Sequence, residues 1–113
     1  MRPINGNDTV TDPREGIIGA WSLISLRRFR NGAFYRYPMG EGASGWLIYS
    51  ASGIMAAFLM SAEWAKGTAK PDWSAFLSYS GRWRIVNSDT VIHDVDAASI
   101  SALIGRLLER YIS

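Results

Sequence analysis

The chain has 113 residues, enough for one domain with a modest core. Hydrophobic residues make up 48% and charged residues 19%, a globular balance that excludes a largely disordered chain. Twelve cations against ten anions leave a net charge of +2, too little for a dedicated nucleic-acid binder, and the absence of cysteine excludes disulfides, thiolate metal sites and a thiol nucleophile. His93 is the single histidine, so a multi-histidine metal site within one chain is excluded as well. Neither a metal nor an organic cofactor is expected.

Residues 1–14 read as a flexible polar arm and residues 15–113 as a single domain. The arm lacks the apolar stretch of a signal peptide, and no run approaches the roughly 20 apolar residues of a membrane span. The expected setting is therefore cytoplasmic, with no membrane partner. A helical turn fits Glu15 to Gly19. Ala20 to Phe29 is strand-like, and Asn31-Gly32 is a strong hairpin signal that sends the chain back along Ala33 to Tyr37. Pro38 to Gly45 is a glycine-rich loop. Trp46 to Tyr49 and Ile54 to Met60 are apolar runs separated by Ser50-Ala51-Ser52-Gly53, which makes a second hairpin.

Ser61 to Ser74 reads as a loop with a helical turn near Glu63. Phe76 to Val86 is a long strand whose alternation puts Tyr79, Gly81, Trp83 and Ile85 on one face and Ser80, Arg82 and Arg84 on the other. Asn87-Ser88-Asp89 turns the chain into Thr90 to Ala97, where Val91, His93 and Val95 oppose Ile92, Asp94 and Asp96. At the C-terminus Ile100, Leu103, Ile104, Leu107, Leu108 and Tyr111 recur at helical spacing, with Ser99 as candidate cap, although Gly105 interrupts the stripe. Periodicity alone predicts a short helix there. The elements together predict an all-antiparallel meander of at most seven strands, curled into a barrel or half-barrel.

Gly19-Ala20-Trp21 resembles the Gly-x-Trp signature of lipocalins, in which the Trp plugs one barrel end and a late Arg, here Arg110, packs across it. A closer resemblance is to the lipocalin-like domain family of bacteria and fungi. Pro38, Gly40, Gly45, Leu47, Tyr49, Gly53 and Met55 match its central hairpin, Tyr79-Ser-Gly81-Arg-Trp83 its Tyr-x-Gly-x-aromatic strand, Val91-Ile-His93 its histidine strand, and Gly105 to Tyr111 its closing Gly…Arg-Tyr segment. The resemblance runs from about Gly16 to Tyr111. It implies a mostly β fold, a small lipocalin-like barrel in which the C-terminal segment is a turn and a strand rather than a helix. Asp94 stands where the family often has a second histidine, and members continue beyond the Arg-Tyr with further strands. An open barrel is expected, its apolar edge covered by a second copy in a homodimer.

Gly40-Glu-Gly42-Ala-Ser-Gly45 spells a dinucleotide-binding pattern, but a strand rather than a helix is expected after it, so it reads as a β-loop. Arg27, Arg28, Arg30 and Arg36 interleave with Phe29, Phe34, Tyr35 and Tyr37; with charge nearly balanced overall, this reads as a solvated hairpin and not a nucleic-acid surface. His93 is flanked by Asp94 and Asp96, whose alternation turns them to the opposite face, and a satisfied core histidine is the plainer reading.

The leading expectation is a binding module for a small hydrophobic or aromatic molecule. Trp21, Tyr49, Met55, Phe58, Met60, Tyr79, Trp83, His93 and Arg110 are the candidate ligand-binding residues. One alternative is a cofactor-free isomerase or cyclase on a polyketide-like or terpenoid-like substrate, an activity the resemblance brings with it. His93 would then shuttle the proton, and Tyr79 or Tyr49 would stabilise an enolate-like oxygen. The other alternative is a structural dimerisation domain with a filled core.

Overall fold

The computed structural model describes residues 2–3, 14, 16–23, 28–30, 33–68 and 75–111. Among these residues it is mostly β, with nine strands: β1 (Arg2–Pro3), β2 (Gly19–Ser22), β3 (Arg28–Arg30), β4 (Ala33–Arg36), β5 (Ser44–Tyr49), β6 (Ile54–Met60), β7 (Phe76–Asn87), β8 (Thr90–Ala98) and β9 (Leu107–Tyr111). One helical turn, α1 (Ala62–Ala65), and a 3-10 turn at Ser101–Leu103 complete the described elements. Seven strands form one sheet in the order β1-β2-β5-β6-β7-β8-β9, with every pairing antiparallel, and β3 and β4 pair separately. From β5 to β9 the chain is a plain meander. Among the described residues the edge strands β1 and β9 do not pair with each other, so the sheet is not closed into a barrel.

Alternation decides the two faces. Leu47 and Tyr49 on β5, Met55 and Ala57 on β6, Tyr79 and Trp83 on β7, and Val91 and Val95 on β8 are buried together with Ile17. Trp46, Ile48, Ile54 and Phe58 point the other way and are exposed. Burying a large apolar side chain contributes about 1.5–3 kcal/mol, so this inner face supplies most of what holds the meander together. Trp21, Leu77, Ile85, Leu103 and Leu108 are half-buried against it and form its margin. A second, smaller cluster of Met39, Ala43 and Leu59 sits under the glycine-rich loop.

β7 and β8 make the longest ladder, and its register shifts between Ser80 and Gly81. A Cβ at Gly81 would collide with the Asp94 carbonyl, so glycine is required for the strands to approach as closely as they do. The irregularity increases local twist and helps the sheet curl over its inner face.

The C-terminal segment corrects the helix predicted by periodicity. After the 3-10 turn at Ser101–Leu103, Gly105 takes φ +82° and its N–H donates to the Val95 carbonyl at 2.8 Å. The Arg106 carbonyl then accepts from the Val95 N–H at 3.0 Å, and β9 continues the ladder on β8. A helix would leave that side of β8 without partners, and ladder hydrogen bonds outweigh a stripe of apolar residues. Ser99 does not cap anything; its hydroxyl accepts from the Ser78 N–H at 3.0 Å.

Two further expectations are corrected. Arg2–Pro3 pairs with Trp21 and Ser22 of β2, so this part of the expected arm belongs to the sheet. The strand expected over residues 20–29 is divided into β2 and β3, giving more strands than the seven anticipated; residues 24–27 lie outside the described residues. The hairpin about Asn31-Gly32 is present through the β3–β4 pairing, the two residues themselves lying outside the described part. The turn expected at Glu15 to Gly19 is closed by the Arg14 carbonyl, which accepts from Ile17 and Ile18 N–H at 3.0 and 2.9 Å. Among the described residues no helix is long and apolar enough to cross a membrane.

Candidate functional site

Three polar side chains meet on the inner face, one each from β5, β7 and β8. The Tyr49 hydroxyl lies 2.6 Å from His93 Nε2, and the Tyr79 hydroxyl lies 2.8 Å from His93 Nδ1. His93 is 0% exposed and Tyr49 1%. Their positions follow from register: Tyr49 pairs with Met55, Met55 with Gly81, and His93 with Trp83. Gly81, between Tyr79 and Trp83 on the same face, lets β8 approach without a side chain in the way.

Hydrogen-bond chemistry limits this chain of groups. A neutral imidazole donates from one nitrogen and accepts at the other. One tyrosine therefore donates to His93 and the other accepts from it. An imidazolium would have no acceptor role left, and burial already disfavours the charge. Burial, and after it the positive charge of Arg110, lower the His93 pKa to about 3. Burial, reinforced by neighbouring Tyr79, pushes the Tyr49 phenol up, with Arg110 acting in the opposite direction. Both groups are neutral at physiological pH.

Aromatic rings frame the triad. Trp83 meets Tyr49 edge-to-face with centroids 5.1 Å apart, and its Nε1–H donates to the Ser50 carbonyl at 2.9 Å. The Arg14 guanidinium stacks over Trp83 at 5.1 Å from the ring centroid and donates to the Ala51 carbonyl at 3.0 Å. Sequence reasoning missed Arg14, which reaches Trp83 from the far end of the chain and carries no local signal. It placed a stacked arginine at Arg110 across Trp21 instead. Among the described residues the stacked pair is Arg14 on Trp83, while Trp21 Nε1–H donates to the Ile17 carbonyl at 2.7 Å.

Arg110 belongs to the inner face by another route. On β9, Leu108 and Arg110 are half-buried while Leu107, Glu109 and Tyr111 are exposed. Leu108 sits opposite His93 and Arg110 opposite Val91, so the guanidinium stem leaves the sheet on the side of the triad.

Of the nine candidate residues, Trp21, Tyr49, Met55, Tyr79, Trp83, His93 and Arg110 share the inner face or its margin. Phe58 and Met60 do not. They stand on the opposite side of β6 from Met55, and Phe58 is 44% exposed. The reason is period two: positions 58 and 60 differ in parity from 55. A hollow lined by Gly53, Ile54, Arg82, Trp83, Arg84 and Asp94 opens chiefly on that outer face. Asp94 and Asp96 are exposed there, as their alternation requires, and give His93 no carboxylate support.

Gly40 to Gly45 leads into β5 and not into a helix, which removes the context of a dinucleotide site. The side chains of the arginine-rich hairpin, and Arg27 itself, lie outside the described features. Among the described residues no group of three or more His, Cys, Asp or Glu side chains is arranged to hold a metal ion.

Comparison with known proteins agrees with the topology. The profile of the lipocalin-like domain family matches residues 18–113. Neither the curated proteins nor the solved structures gave a match. With an open antiparallel meander, an inward histidine strand and a family match covering most of its length, the chain belongs to the lipocalin-like domain family.

Proposed function

We propose that the protein binds a small hydrophobic or aromatic molecule against the inner face of its open sheet, at the margin formed by Trp21, Ile85, Leu108 and Arg110. The observation that carries this reading is the Tyr49–His93–Tyr79 chain, fully enclosed in apolar surroundings. A purely structural core does not require these groups. A buried polar group left without a partner costs about 1–3 kcal/mol, and apolar residues of similar shape fill the same space at no such risk. Polar groups kept in an apolar face are what a ligand site needs to fix orientation.

The geometry favours binding over catalysis by His93. Both ring nitrogens are engaged by tyrosines, and a pKa near 3 makes a poor base at neutral pH. Arg110, half-buried, is the polar group a ligand meets first; the tyrosine hydroxyls are buried and are reached only when the margin opens. The reading also includes a second copy of the chain along β9, whose Leu107 and Tyr111 are 60% and 63% exposed. A cytoplasmic setting accords with a chain free of cysteine.

The test is a fluorescence titration with neutral phenylnaphthylamine. Saturable binding that Leu108→Trp weakens by about tenfold or more, and that Phe58→Ala leaves unchanged, supports the inner-face site. A flat titration, or binding sensitive to Phe58→Ala alone, contradicts it.

A further inference from the structure

Counting protons on the triad gives an unspent donor. Tyr49, His93 and Tyr79 carry three polar hydrogens in their neutral forms, two hydroxyl and one imidazole, but only two hydrogen bonds join them. With Tyr49 donating to Nε2, the Nδ1–H donates to Tyr79 and the Tyr79 hydroxyl hydrogen is left over. With the other tautomer, the Tyr49 hydrogen is left over. Either way one phenol O–H remains on the inner face, and neither hydroxyl has a further partner among the described residues.

Arg110 presents a second unspent donor on the same side. Its recorded polar contact is a long 3.5 Å reach to the Glu109 carbonyl of its own strand. Among the described residues no carboxylate pairs with it: Asp94, Asp96 and Glu109 are exposed on the outer face. Arg110 is half-buried as a residue, and its charge is felt at both Tyr49 and His93, which places the guanidinium on their side of the sheet.

We infer that the ligand of this site is amphiphilic, an apolar body carrying an oxyanion such as a carboxylate, sulfonate or phenolate, with the oxyanion seated between the Arg110 guanidinium and the spare tyrosine hydroxyl. This rests on the inner-face binding reading and adds the ligand's charge to it. An oxyanion accepts from both donors at once. A guanidinium fork suits a planar carboxylate, and a charged acceptor roughly doubles the strength of a hydrogen bond. A neutral hydrocarbon would satisfy neither donor.

Two probes with one aromatic body separate the claims. Anilinonaphthalene sulfonate carries an oxyanion, and phenylnaphthylamine lacks it. The expected result is at least about tenfold tighter binding of the sulfonate, a preference that falls as salt is raised and disappears in Arg110→Gln, where the two probes bind equally. Arg110→Lys keeps part of the preference, because the charge stays and the fork is lost. Equal affinities in the unmodified protein, or a preference that survives in folded Arg110→Gln, overturns the oxyanion assignment and leaves inner-face binding intact. Failure of both probes to bind overturns the inner-face reading and this inference with it. Because the probe ratio is first read on the unmodified chain, the test holds even where Arg110→Gln does not fold.

Discussion

His93 is held neutral by its surroundings, and that has a consequence for stability. Its ordinary pKa in an unfolded chain is about 6.5, and burial with the Arg110 charge lowers it to about 3 in the fold. Below pH 6.5 the unfolded chain takes up a proton that the folded chain refuses, so acid favours unfolding. The contribution is fully present above pH 6.5 and is lost progressively as pH falls towards 3. In denaturant titrations, the unmodified protein should lose about 2–3 kcal/mol more than His93→Gln between pH 6.5 and pH 4. Parallel losses in the two proteins would show that His93 titrates normally. The inward position of His93 was legible from its alternation with Asp94. Its two tyrosine partners were legible only as candidates, because contact between residues 44 and 14 positions away is decided by register and not by local pattern.

At the scale of strands, period two was the dependable signal, and it was read unevenly. Along β7 and β8 it put Tyr79, Trp83, His93 and Val95 on the buried side, as the structure has them. Along β6 composition displaced it: Phe58 and Met60 were grouped with Met55 for their chemistry although their parity differs. At the C-terminus a helical period competed with a glycine. Gly105 at φ +82° turns the chain back onto β8, and the available ladder overrides the apolar spacing. Gly81 had no visible role in sequence beyond its motif. Its role is close strand approach beside a register shift, so Gly81→Ala should destabilise the domain by about 3 kcal/mol, read as a lowered melting temperature. An unchanged melting temperature would mean that β7 and β8 can separate to admit the methyl group.

The whole molecule is a curled sheet with two free edges among its described strands and apolar residues on both faces. Among the described strands β9 ends the sheet, with Leu107 and Tyr111 exposed along an edge that no described strand pairs, a surface that chains tend to cover. Light scattering at micromolar concentration should give the mass of a dimer, and Leu107→Lys with Tyr111→Lys should return a monomer. A monomer in the unmodified protein would contradict pairing along this edge. The topology from β5 onward was legible because each hairpin has its own turn signal. The openness of the sheet was anticipated from the resemblance, whereas the pairing of Arg2–Pro3 with β2 had no sequence cue.

The central claim is that the Tyr49–His93–Tyr79 chain is a ligand-facing group held inside an apolar face. It is tested most directly by NMR of the imidazole nitrogens during addition of anilinonaphthalene sulfonate. The chain has one histidine, so the signals need no assignment. A single neutral tautomer persisting from pH 7 to about pH 5 without ligand, and shifted in a saturable way by the probe, is the result predicted. An imidazole that titrates near 6.5 and ignores the probe would contradict the account.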